Sequence, residues 1–179
     1  MHRYIAFLRA INVGGHNVVK MDFLRRLFES LGFSKVETFI ASGNVVFETT
    51  SKNAQALERK IENTLREALG YEVATFIRTG AELAAVASYE PFSQSDLDGA
   101  AALNIAFLAD GLDDESSQKL MTLRTDVDDF RIHGREVYWL CRKRQGGSKI
   151  SNAALEKALG RKSTLRGANT VRKMAAKYS

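Results

Sequence analysis

Proline is nearly absent: Pro91 is the only one in 179 residues. With so little proline and no low-complexity stretch, nothing reads as a linker between independent parts. Cysteine is as scarce. The single Cys141 excludes an intramolecular disulfide framework and suits a reducing compartment, so the expected location is cytoplasmic. Cys141 closes the apolar run Tyr138-Trp139-Leu140-Cys141 and reads as a buried structural thiol rather than a nucleophile. The histidines are three, His2, His16 and His133, scattered far apart. With one cysteine they make no recognisable metal motif, and neither a metal nor a cofactor is expected. No run of about 18 apolar residues occurs, so no membrane-spanning helix and no membrane partner are expected. The opening residues Met1-His2-Arg3-Tyr4-Ile5 enter a strand-like pattern at once and lack the features of a secretory leader.

What is present is ordinary for a globular chain: 45% apolar and 26% charged residues. That balance excludes a disordered or fibrous protein. The length suits one compact domain or two small subdomains. Charge is the first oddity. Residues 131–179 hold 13 of the 26 Lys and Arg and only Glu136 and Glu156 of the 21 acids, so that segment carries +11 and residues 1–130 carry −6. Two readings follow. A basic surface meets phosphate, nucleic acid or another acidic partner. Alternatively, the acidic stretch from Glu90 to Asp129 folds against the basic end and neutralises it.

Periodicity gives the elements. Residues 3–9 read as a strand. Met21, Leu24, Leu27, Phe28 and Leu31 share one face of a helix that Gly32 ends. Residues 36–40 and 45–47 form a hairpin around Ser42-Gly43-Asn44. A helix over 52–69, capped by Ser51, carries the stripe Leu57, Ile61, Leu65 and Ala68. Residues 72–78 read as a fourth strand, and Thr79 to Glu82 is a capping box opening a short helix. Residues 89–102 read as a loop. The order then restarts: strand 103–109, helix from Asp113 toward Leu123, a hairpin around Gly134, a helix from Ser151 to Leu159, a strand 163–166 and a terminal helix with Val171, Met174, Ala175 and Tyr178 on one face. Strand, helix, strand, strand, helix, strand is the split β-α-β order of a ferredoxin-like unit. The predicted fold is therefore α+β, two ferredoxin-like halves at 1–80 and 81–179 from an internal duplication. The repeat is read in the order of elements, not in the residues.

This topology makes specific loops meet. In the first half it joins the loop after strand 1, with Arg9, Asn12, Gly14, Gly15, His16 and Asn17, to the turn Ser42-Gly43-Asn44. Paired glycines permit close backbone approach, and the polar side chains supply donors and acceptors. In the second half the basic loop ending at Lys149 shares an edge with Arg166, Asn169 and Thr170 at the start of the terminal helix. Helix N-termini beside cations make an anion site. The bland alternative is that each loop is only a turn, because Gly and Asn are common turn residues. Neither loop has Walker A or dinucleotide-fingerprint spacing. A further expectation is that the segment 166–170 brings both clusters into one cleft.

Leu8-Arg9-Ala10-Ile11-Asn12-Val13-Gly14-Gly15-His16-Asn17, with Met21 and Leu24, and Ile40-Ala41-Ser42-Gly43-Asn44-Val45-Val46-Phe47 resemble the bacterial family catalogued as domain of unknown function 1697. Ser148-Lys149, Ser151-Asn152, Leu155-Glu156, Leu159-Gly160, Thr164, Arg166, Asn169 and Thr170 extend the resemblance. It implies a soluble bacterial α+β protein with two similar halves and no established activity. The chain departs from the family pattern at Gly167-Ala168, where an Asn-Trp pair is expected.

The leading functional expectation is a module binding an anionic ligand, either a phosphate-bearing small molecule or nucleic acid. An enzyme acting on a small polar metabolite, with His16, Asp22 and Glu37 as acid–base groups, stands second. A protein-interaction module stands third.

Overall fold

A computed structural model describes residues 1–13, 15–142 and 150–179. Two compact units emerge, one of residues 1–85 with 174–179 and one of residues 86–173. The expected halves were 1–80 and 81–179. No helix among the described residues is long and apolar enough to cross a membrane.

The first unit runs β1 (His2–Leu8), α1 (Met21–Ser30), β2 (Ser34–Thr38), β3 (Asn44–Thr49), α2 (Ala54–Leu69), β4 (Thr75–Thr79) and the start of α3 (Gly80–Ser88). Its sheet has the order β2-β3-β1-β4, all antiparallel, so β1 and β3 are central. Period-2 alternation sends Tyr4, Ala6 and Leu8 to one face, where Leu24 and Phe28 of α1 and Leu57, Ile61 and Leu65 of α2 cover them. Phe33 stacks on Phe47 at 4.4 Å within that core. Each such buried side chain stabilises the unit by roughly 1.5–3 kcal/mol.

The second unit repeats this plan. It contains α4 (Gln94–Asp98), β5 (Ala102–Phe107), α5 (Asp114–Met121), β6 (Asp128–His133), β7 (Glu136–Cys141), α6 (Asn152–Leu159), β8 (Thr164–Gly167) and the first part of α7 (Ala168–Tyr178). The sheet order β6-β7-β5-β8 is the same arrangement. Ala106, Leu108, Phe130, Val137 and Trp139 meet Leu120 of α5 and Leu155 and Leu159 of α6. The chain is thus α+β, with two similar halves, each a ferredoxin-like split β-α-β unit.

The duplication is also written in the residues. Ile5-Ala6-Phe7-Leu8 in β1 recurs as Ile105-Ala106-Phe107-Leu108 around β5. Ile5 pairs with Arg78, and Ile105 pairs with Arg166, so the two quartets hold one register.

Two local readings change and one holds. The cap of α2 is Asn53, whose side chain accepts from the N–H of Ala56 at 3.0 Å, not Ser51. Ser51 is occupied instead: its hydroxyl accepts from the Asn53 N–H and its carbonyl from the Tyr4 hydroxyl. The segment 89–102 is not all loop, because Ser93 caps α4 through the Asp96 N–H. The capping box at Thr79 forms as read: Glu82 N–H donates to Thr79 Oγ1 at 3.1 Å, and Thr79 N–H donates to the Glu82 carboxylate at 2.8 Å.

Candidate functional site

In the first unit the β1–α1 loop and the β2–β3 turn share one edge. Leu8 N–H donates to the Gly43 carbonyl at 2.8 Å, continuing the β1–β3 ladder into the turn. Gly43 has φ +70°, and a Cβ there lies 3.1 Å from both Ile11 Cβ and the Leu8 carbonyl oxygen. Only glycine meets both demands.

The asparagines of this edge hold the backbone. Asn12 bonds the Val19 main chain through both ends of its amide. Asn17 Nδ2 donates to the Ala10 carbonyl at 3.1 Å. Asn44 is fully buried, and its Nδ2 donates to the Phe39 carbonyl and to Ser42 Oγ, both at 3.0 Å. Ala10, Asn12, Asn17 and Ile40 all have positive φ, as does Gly15. For an isoleucine that conformation is strained. His16 is exposed, and its N–H donates to the Val13 carbonyl at 2.9 Å. Arg9 is half-buried and its N–H donates to the Ala74 carbonyl. Gly14 lies outside the described residues.

Beside this loop, α1 begins at Met21 with Lys20 as its N-cap and no side-chain cap bond. Val13, Val18, Phe23 and Ile40 stand exposed on the same loop, helix start and turn. Asp22, on the first turn, is taken by Arg26 and Arg25, whose hydrogen bonds hold its carboxyl down at about 2. Glu37 pairs with Lys177 at 3.5 Å. These two carboxylates therefore act first as ion-pair partners.

The second unit carries a groove of about 1050 Å³. Its walls are the segment Tyr89–Gln94 with Leu97, the start of β5 at Ala102–Asn104, and the β8–α7 junction at Gly167–Thr170. Asn169 and Thr170 line it, as does Arg172 one turn further along α7. Arg172 Nη1 donates to Asn169 Oδ1 at 3.3 Å. Arg172 is the residue that motif spacing missed. Its signal was its place three residues after Asn169, on the same helix face.

Arg166 sits behind the junction on β8 and is buried. Its Nη1 donates to Thr164 Oγ1 and to the Leu165 carbonyl, each at 2.8 Å. Burial pulls its pKa down to about 10, so it remains a cation at neutral pH. Lys149 lies outside the described residues.

Part of the basic segment is neutralised inside the unit. Asp129 draws Arg124 at 2.7 Å, Arg131 at 2.9 Å and Arg142 at 3.9 Å. Arg142 also reaches Asp96 at 3.5 Å. Among the described residues no cluster of His, Cys, Asp or Glu is arranged to hold a metal ion.

The fold and its two polar edges define a class: α+β proteins built from a duplicated ferredoxin-like unit. Within that class the chain belongs to the DUF1697 family, described as a protein of unknown function, whose pattern matches residues 1–138. A solved structure of the conserved bacterial protein SP0830 from Streptococcus pneumoniae is similar over 98% of this chain and 97% of its own, with 26% identity and a TM-score of 0.76. No curated protein matches the chain.

Proposed function

We propose that this protein binds an anionic, phosphate-bearing ligand, a nucleotide or the phosphates of a nucleic acid. The observation that carries this reading is the groove at the β8–α7 junction, lined by Asn169, Thr170 and Arg172 on the first turns of an 11-residue helix. The first N–H groups of a helix lack intrahelical acceptors, and its dipole favours a negative group there. Arg172 adds an exposed cation, and the buried Arg166 keeps the strand behind it positive. Lys149 belongs to the same reading.

The edge of the first unit is the second element of this proposal, with Arg9, Gly15 and His16 beside the uncapped start of α1; Gly14 belongs to the same reading by sequence alone. Asn12, Asn17, Ser42, Gly43 and Asn44 contribute by shaping that loop, since the three amides already bond main chain. Thermal-shift measurements with inorganic phosphate, nucleotides and short oligonucleotides at two salt concentrations test the proposal. The expected result is stabilisation that Asn169→Ala and Arg172→Ala weaken. No stabilisation by any phosphorylated compound at either salt overturns it.

A second reading, a protein-interaction module, is favoured by one observation: the exposed Val13, Val18, Phe23 and Ile40 on the first unit. A stable partner in pull-down, lost with Val18→Asp and Phe23→Ser but kept with Arg172→Ala, would establish it in place of the first.

A further inference from the structure

We infer that the ligand of the groove is a single-stranded nucleic acid rather than a mononucleotide, its chain running out of the groove along the solvent face of α7. This rests on the anion-binding proposal above and narrows it. From Lys157 to Ser179 the chain has seven Lys and Arg and no acid. Helix α7 buries Ala168, Val171, Met174 and Ala175, which leaves Asn169, Arg172 and Lys173 facing solvent.

Many cations elsewhere are matched inside the fold. Arg25 and Arg26 hold Asp22; Arg3 and Lys35 hold Glu48; Lys119 holds Glu115; Arg124, Arg131 and Arg142 hold Asp129. Arg172 is not so matched, a state it shares with Arg66 on α2, which bonds the amide of Asn63; what sets Arg172 apart is its place in the groove wall. The bond of Arg172 goes to the neutral amide of Asn169, and neither it nor Lys173 has an acidic partner among the described residues. Unmatched positive charge on an acid-free helix calls for an external anion.

Two features select the anion. The groove's volume of about 1050 Å³ lies at the upper end of small-molecule sites, which run to roughly 1,000 Å³. It is also lined by Arg172 on the helix that carries the next cation, Lys173, outward. A mononucleotide in the groove leaves Lys173 unused, whereas a chain of phosphates uses both. The walls combine the apolar surfaces of Pro91, Leu97 and Leu103 with the amide of Asn104 and one carboxylate, Glu90, while Gln94 Nε2 donates to Asp98 at 2.8 Å. That mixture suits unpaired bases, which offer apolar faces and hydrogen-bonding edges. A duplex presents its phosphates on a convex rod and is the poorer fit to a concave wall.

Fluorescence anisotropy with labelled deoxythymidine oligomers of about 2, 6 and 12 nucleotides tests this, between about 50 and 200 mM salt, with a mononucleotide, inorganic phosphate and a poly-glutamate peptide as competitors. The affinity is expected to rise at least about tenfold from the shortest to the longest oligomer. The double variant Arg172→Ala/Lys173→Ala, folded by circular dichroism, is expected to lower the slope of log affinity against log salt by about 1.4, two single-strand phosphate contacts. Three results overturn the inference: an affinity independent of length, an unchanged salt slope in the double variant, or poly-glutamate competing as well as the longest oligomer. If phosphate and mononucleotides bind while length adds nothing, the inference falls and the anion-binding proposal stands. If no phosphorylated compound binds, both fall.

Discussion

Asn12 grips the main chain of Val19 from both sides: its Oδ1 accepts from the Val19 N–H at 2.7 Å, and its Nδ2 donates to the Val19 carbonyl at 3.1 Å. The pair closes the segment 12–19, within which Asn12 N–H also donates to the Asn17 carbonyl at 3.2 Å. Asn12 and Asn17 within this segment, and Ala10 just before it, are non-glycine residues with positive φ. Asparagine tolerates that conformation better than most residues because its short side chain bonds locally. The sequence motif therefore encodes a shaped loop before it encodes anything about a ligand.

Asn12→Ala should expose this role. It removes both bonds to Val19 and places alanine at φ +55°. A loss of about 1–3 kcal/mol in chemical denaturation is expected. Asn12→Asp keeps the acceptor for the Val19 N–H and should fall between the two. Equal stability of Asn12→Ala and the parent would contradict the assignment.

Two glycines of the same edge separate strain from crowding. Gly15 has φ +79° and open space where a methyl group would stand, so Gly15→Ala carries only the conformational cost, about 1–2 kcal/mol. Gly43→Ala carries that cost and also drives a Cβ to 3.1 Å from Ile11 and Leu8. Overpacking typically adds about 1–3 kcal/mol. Urea denaturation should rank Gly43→Ala clearly below Gly15→Ala, and the reverse order would refute the packing account.

Periodicity revealed most of the architecture because each helix and strand has one clear apolar face. The stripe Leu57, Ile61 and Leu65, the cap at Ser151 and the buried side of α7 all follow from spacing alone. Helix α4 was hidden because it is five residues long, too short for a helical period, and follows Pro91. Its one signal was Ser93 followed three residues later by Asp96. The meeting of the two loops in the first unit was legible from topology. What the amides of Asn12 and Asn44 do there was not, because donor and acceptor types are the same whether a side chain faces a ligand or its own backbone. The repeated Ile-Ala-Phe-Leu quartet was in plain view but short. Only the shared register with Arg78 and Arg166 gives it meaning.

The exposed network on α1 predicts an acid-labile contribution. Hydrogen bonds from Arg26, and then Arg25, lower the Asp22 carboxyl from 3.8 to about 2. A carboxylate with a depressed folded-state pKa contributes stability that is present above its unfolded value and disappears as pH falls toward the folded one. The contribution should therefore be intact above 3.8 and lost on acidification to about 2. Asp22→Asn should flatten the stability profile across that window, and added salt should shrink the difference because the network is exposed. A parallel pH profile for the variant and the parent would count against this network.

In the second unit the buried pair Asp128 and Trp139 offers the sharpest energetic test. Trp139 is the chain's only tryptophan, and its Nε1–H donates to Asp128 Oδ1 at 2.7 Å. The two residues lie diagonally across the β6–β7 ladder, where Phe130 faces Trp139 and stacks on it at 5.9 Å. A register slip would send Trp139 to the other face of the sheet, so this bond and this stack select one register. Asp128→Ala leaves the indole N–H buried without that acceptor and should cost about 1–3 kcal/mol. Trp139→Phe removes the donor along with some packing. If the bond matters as argued, the double variant Asp128→Ala/Trp139→Phe loses less than the sum of the single losses, with a coupling of about 0.5–3 kcal/mol. Urea unfolding followed by far-ultraviolet circular dichroism measures all three variants on one scale, since the signal does not depend on the tryptophan. Strict additivity would show that the two residues contribute independently, and that register is held by the ladder and the Phe130 stack alone.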